Sequence, residues 1–184
     1  GRRVLLDGEA VPLADRLVTS GNLVAHLSQN MRFVLDLTVR DFLTLHCRCR
    51  DRKTLSPQTI IDTANTITPE PVRLEESLNL LSGGQSRALM IADIALACDS
   101  PIVLIDEIEN AGIDKKKALH LLTGTRKLVL IVTHDPHTAL MAPKRIIMQN
   151  GAIRAVLTRT AGEDRIYEEQ TALQARLRKG EFLS

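Results

Sequence analysis

The sequence is poor in the features that mark several functional classes. Aromatic residues make up only 2% of 184 residues, with no Trp and one Tyr, so a ring platform for stacking nucleobases is not expected. Lys and Arg number 24 against 22 Asp and Glu, a formal net charge of +2. That leaves no broad basic field, and no nucleic-acid partner is expected. The three cysteines, Cys47, Cys49 and Cys98, show no CxxC spacing; this argues against a disulfide framework or zinc ribbon and fits a reducing compartment. No apolar run approaches the roughly 20 residues that cross a bilayer. The opening residues GRRVLLDGEAVPLADR carry no signal-peptide core, so the expectation is a soluble, cytoplasmic chain. There is no internal repeat and no low-complexity segment.

An apolar fraction of 44% is enough for one or two compact units with a real core. RVLLDG at 3–8 and NLVAHLSQ at 22–29 read as short strands bounded by breakers. The texture then becomes helical: TVRDFLTLHCRCRDRK from Thr38 has apolar residues at 39, 42, 43 and 45, and SPQTIIDTANTI at 56–67 opens on a Ser-Pro start signal. PIVLIDE at 101–107 and KLVLIVTHD at 127–135 are continuous apolar runs ending in polar residues, the pattern of buried parallel strands. KKKALHLLTG at 115–124, between them, reads as a helix and completes a βαβ unit. In KRIIMQNGAIRAVL at 144–157 the Asn-Gly pair predicts a hairpin, and EEQTALQARLRKGE closes as an amphipathic helix.

Chemistry concentrates at three places. In LNLLSGGQSRAL at 78–89, Ser82 is a good N-cap, and Gly83 and Gly84 allow close backbone approach to free N–H groups that favour an anion. The stretch alone fits a phosphate or an ordinary capped helix. Asp106 and Glu107 end one predicted strand and His134 follows another, at the edge where open α/β sheets bind ligands. An Asp there can hold Mg²⁺ through water, and the adjacent Glu can polarise an attacking water. His134 fits either a phosphate contact or a structural role. It forms an HxxH with His137, but two histidines without a third ligand do not make a zinc site.

In order along the chain, these residues resemble the nucleotide-binding domain of ATP-binding cassette (ABC) proteins. Gln29 in HLSQN corresponds to the family's Q-loop, LSGGQ at 81–85 is identical to its signature, and IVLIDE at 102–107 matches its Walker B strand. NAGID at 110–114 looks like its D-loop, and His134 matches its H-loop. The resemblance implies an α/β P-loop NTPase fold: a RecA-like core with a mostly parallel sheet, residues 1–30 and 98–184, and an inserted all-helical subdomain, 31–97, ending in the signature helix.

It also implies a mechanism. Two copies face head to tail, and the signature of one closes over ATP held by the other. Ser82, Gly83 and Gly84 would then face the γ-phosphate of the partner's nucleotide, with Gln85 bracing the loop. Asp106 would help hold Mg²⁺, with Glu107 as general base. Gln29 would reach metal and water, His134 would steady the γ-phosphate, and Asp114 would work across the interface. The implied function is the ATPase subunit of an ABC transporter, peripheral on the inner face of the membrane and bound to a separate transmembrane permease. Two features depart from the family pattern: IEN follows Asp106-Glu107 where Pro-Thr is usual, and the D-loop region is one residue longer. A DNA-repair type of ABC ATPase is one alternative. However, the residues between Gln29 and Ser82 show no heptad repeat for a long coiled coil. A non-catalytic module is the other.

That alternative rests on the absence of GxxxxGK[ST], the loop whose N–H groups and Lys cradle phosphates; the sequence contains no match. In the family this loop precedes the Q-loop, so the cradle is expected just before Gly1, in a chain truncated at its N-terminus and inactive alone. The intact mass of the natural protein checks this. The expected value is several kilodaltons above 20.3 kDa, and a mass of 20.3 kDa would overturn the expectation.

Overall fold

A computed structural model of the chain describes residues 5–6, 8–12, 23–29, 33, 36–108 and 112–180. By packing, the chain forms two compact units, residues 1–132 and 133–184, each described here by itself.

The first unit is built on a three-stranded parallel sheet. Strands β1 (Leu5–Leu6) and β2 (Glu9–Ala10) form a small antiparallel hairpin around Gly8, whose φ of +87° suits glycine. The parallel sheet comprises β3 (Val24–Leu27), β4 (Ile102–Asp106) and β5 (Leu128–Val132), with β4 in the centre. Between β3 and β4 lie helices α1 (Val39–Cys49), α2 (Pro57–Asn65) and α3 (Gly83–Leu96), and α4 (Lys115–Gly124) joins β4 to β5. Each helix begins at a side-chain cap the sequence supplies: Thr38, Ser56, Ser82 and Asp114.

Alternation along the strands sets the core. Ala25, Leu27, Val103 and Ile105 are buried, with Val129 and Ile131 packed beside them, in one cluster with Leu43, Ile60, Leu89, Ile91 and Leu122. The other sheet face, carrying His26, Leu104, Leu128 and Leu130, stays half-buried or exposed. The apolar runs predict burial on both faces; the described helices of this unit supply a buried core for one. Helix α3 is buried almost all round, as a helix through the middle of a core must be. Its Asp93 is fully buried and lies 2.7 Å from His46 Nδ1 on α1. A carboxylate taken out of water needs such a partner, and this pair fixes α1 against α3. Burial pushes the neighbouring Cys47 thiol up from its ordinary value, and the Asp93 charge adds to the shift.

The second unit contains α5 (Pro136–Met141), the antiparallel hairpin β6 (Lys144–Gln149) and β7 (Ala152–Thr158), and α6 (Ala161–Arg178). The predicted Asn-Gly turn is present, with both Asn150 and Gly151 at positive φ. Helix α6 begins seven residues before the predicted stretch, because Thr160 and Glu163 form a capping box. Arg145 also binds Glu163, and hydrogen bonding from Arg145 holds that carboxyl below its usual range.

Candidate functional site

The register of the parallel sheet brings the first two candidate residues together. Val24 pairs with Ile102 and Leu27 with Ile105. The same offset of 78 residues, continued two positions past the last of these pairs, sets Gln29 beside Glu107, and Gln29 Nε2 donates to Glu107 Oε2. Only the NH₂ end of an amide can meet a carboxylate oxygen, so Gln29 Oε1 is left as an acceptor. Asp106, half-buried, ends β4 on the sheet face opposite Val103 and Ile105.

Glu107 is held at every polar group. Its φ is +48°, left-handed for a residue with a Cβ, a conformation that costs about 1–2 kcal/mol. Its N–H donates to Val132 O at 3.0 Å, its carbonyl accepts from Arg87 Nη1 at 2.9 Å, and its carboxylate meets Gln29. Arg87, only 8% exposed, comes from the second turn of α3. Its Nη2 donates to Ser28 O at 2.9 Å and Asp106 O at 3.1 Å, and Nη1 also reaches Asp106 O at 3.4 Å. One guanidinium therefore ties the ends of β3 and β4 to α3. The sequence reading missed this residue, although the one cation in a mostly apolar helix was a signal: it must be neutralised or hydrogen-bonded where it is buried.

At the start of α3, Ser82 Oγ accepts from Gln85 N–H at 3.2 Å while Gln85 Oε1 accepts from Ser82 N–H at 2.9 Å. This capping box leaves Gln85 Nε2 to donate to Pro71 O at 2.8 Å. The Ser82 hydroxyl donates to Glu70 Oε2 at 2.8 Å, a second contact the sequence did not reveal. Gly83 is exposed, and a Cβ built on it meets nothing within 4 Å; its φ is not left-handed. Neither the backbone nor local packing within the chain demands glycine there. Gly84 follows on the same first turn.

Asp114 caps α4, accepting from Lys117 N–H at 3.1 Å and donating its own N–H to Ile67 O at 2.8 Å. Asn110 and Ala111 of the expected D-loop lie outside the described residues. His134 belongs to the second unit and is exposed. Its neighbours are fixed: Asp135 accepts from His137 N–H and Thr138 N–H, and its own N–H donates to Thr133 Oγ1 at 3.0 Å. His137 stacks on Tyr167 and pairs with Thr171 Oγ1. Among the described residues no three His, Cys, Asp or Glu side chains gather as a metal cluster.

The structure thus collects Gln29, Asp106 and Glu107 at one sheet edge, with Ser82–Gln85 at the head of the helix whose Arg87 grips that edge. The chain is 47% identical over 167 residues to an uncharacterised ABC transporter ATP-binding protein of Methanocaldococcus jannaschii. The chain is thus similar to an ATP-binding cassette protein along most of its own length. The match takes in 90% of this chain and spans 64% of that relative's length. No protein-family model matches. Two solved structures share the fold. An ATP-binding subunit of an ABC transporter aligns at TM-score 0.65 with 21% identity, over 90% of this chain and 75% of its own. A dimeric post-hydrolysis state of an ATP-binding cassette bound to ADP and Pi aligns at 0.63 with 22% identity, over 83% and 71%. This chain has the α/β fold, with a parallel sheet and several helices, of those solved structures.

Arg87→Met is expected to cost about 3 kcal/mol, because it leaves three carbonyls without their charged donor. Arg87→Lys recovers little of that, since a point ammonium cannot span the carbonyls as a planar fork does. Urea unfolding checks both, and a loss under about 0.5 kcal/mol, the scatter of ordinary surface substitutions, would overturn the role given to the guanidinium.

Proposed function

We propose that this chain is the ATP-hydrolysing part of an ABC transporter, working as a head-to-tail dimer on the inner face of a membrane beside a separate transmembrane permease. The observation that carries the reading is the hydrogen-bonded Gln29–Glu107 pair at the carboxyl edge of a parallel sheet, next to Asp106. Ligands of open α/β sheets bind at that edge. The relatives add support: the archaeal protein is named an ABC transporter ATP-binding protein, and one structural neighbour is dimeric with ADP and Pi.

The residues fit the chemistry. Glu107, locked in place at its backbone, is the general base that takes a proton from the attacking water, while Gln29 orients that carboxylate and the water. Asp106 and Gln29 Oε1 are hard oxygen donors of the kind Mg²⁺ prefers, and the ion would neutralise charge on the phosphates. Ser82, Gly83 and Gly84 of one copy face the γ-phosphate bound by the other, offering a hydroxyl and first-turn N–H groups. Gln85 braces that turn against Pro71. Asp114 acts across the interface and His134 steadies the γ-phosphate. Residues 31–97 serve as a helical subdomain carrying the signature, and 1–30 with 98–184 as the core. The sequence contains no GxxxxGK[ST] cradle.

Two substitutions in the natural protein test the site. Glu107→Gln should lower phosphate release from ATP by about 100-fold or more while nucleotide binding persists. Gly83→Ala should leave thermal stability unchanged or slightly raised, because alanine favours a helix and has room, yet hinder ATP-driven dimerisation through the crowded phosphate approach. An undiminished rate in the first, or normal dimerisation in the second, would sink the assignment.

The partner is tested separately. No helix among the described residues is long and apolar enough to cross a membrane. A polytopic membrane protein should co-purify from detergent-solubilised membranes; consistent isolation with DNA and no such protein would favour the DNA-repair reading.

A further inference from the structure

The signature serine already has a partner within the chain. A hydroxyl carries one proton, and Ser82 Oγ gives it to Glu70 Oε2 at 2.8 Å. Glu70 does not sit there by chance of a loose side chain. The turn preceding it is fixed at both ends, with Thr68 Oγ1 accepting from Glu70 N–H at 3.3 Å and donating to Glu70 O at 3.2 Å. On its other side Pro71 O takes the Gln85 Nε2 hydrogen, and Asn65 clasps Val72 through both Nδ2 and Oδ1. The backbone that carries Glu70 is thus bound to the same capping box that holds Ser82.

We propose that Glu70 is an intrachain competitor of the nucleotide phosphate for the signature serine, an autoinhibitory contact that must open before the dimer closes. The inference rests on the reading of Ser82 as a γ-phosphate contact. The chemistry is a matter of one proton and two anions. Ser82 cannot donate to the carboxylate and to a phosphate oxygen together, and a carboxylate left at the head of α3 repels an incoming triphosphate. It also occupies the end of the helix dipole that favours an anion. Engagement therefore requires the Glu70 side chain to swing into solvent. It can do so because Glu70 is exposed, at the cost of its charge-assisted hydrogen bond and of the favourable position of its charge at the helix head.

The device sets the concentration of nucleotide at which two copies associate, without touching nucleotide held by a copy's own Gln29–Glu107 edge. Glu70→Gln keeps an acceptor for Ser82 and removes the charge, so it separates repulsion from shape. Dimerisation of the natural protein is followed by light scattering as a non-hydrolysable ATP analogue is added, and ADP binding to the monomer is measured as the control. Glu70→Gln is expected to lower the half-saturating analogue concentration by roughly tenfold, the equivalent of about 1.4 kcal/mol, with ADP binding unchanged. An unchanged or raised half-point overturns the proposal, and so does an equal gain in ADP binding, which would reveal a general charge effect. Ser82→Ala keeps the two readings apart. If it abolishes dimerisation while Glu70→Gln does nothing, the competitor role alone fails; if it leaves dimerisation intact, the signature reading fails with it.

Discussion

A single buried guanidinium organises the candidate site. Strand ends are where a parallel sheet runs out of hydrogen-bond partners, and every carbonyl there must find water or a side chain. Arg87 answers for Ser28, Asp106 and Glu107 together. It does so from a helix that is buried along most of its length, so its position is set by core packing rather than by a mobile side chain. The left-handed turn at Glu107 persists because the surroundings over-determine it, as strained residues at functional sites require. Without the guanidinium, the carbonyl of Glu107 would lose the donor that favours this conformation.

Because α3 is gripped on both sides, its two ends cannot move independently. Its buried Asp93 meets His46 of α1, its apolar faces fill the core under β3 and β4, and its Arg87 holds the strand ends. From Ser82 to Arg87 the helix rises only about 7 Å. A shift of the signature turn is therefore transmitted to the Gln29–Glu107 edge as a rigid displacement, since a close-packed interior does not absorb small movements.

Much of the architecture was legible in the sequence, because the relevant physics is local. Apolar runs 101–107 and 127–135 marked the parallel strands, Ser56-Pro57 and Ser82 marked helix starts, and Asn150-Gly151 marked the hairpin. Where local signals mislead, the structure shows why. The Thr160-Glu163 capping box was visible as a T-x-x-E signal, but the apolar stripe farther along drew the boundary instead. The contacts that assemble the site were not legible at all. Arg87 lies 59 residues from Ser28 and Glu107 lies 78 from Gln29, and no periodicity reports a partner at such separation.

The stretch between α2 and the signature shows what such long-range contacts achieve. Its backbone receives Asp114 N–H at Ile67 O and Lys117 Nζ at Thr66 O, while Glu70 and Pro71 receive Ser82 and Gln85. The head of α4 and the head of α3 are thus pinned to opposite ends of one short, rigid turn. The turn therefore sets how far apart the two capped helix heads stand. Proline at position 71 and the Asn65–Val72 clasp stiffen that spacer. The spacing of Ser82 and Asp114 is therefore a property of the loop sequence ITPEPV and not of either motif taken alone.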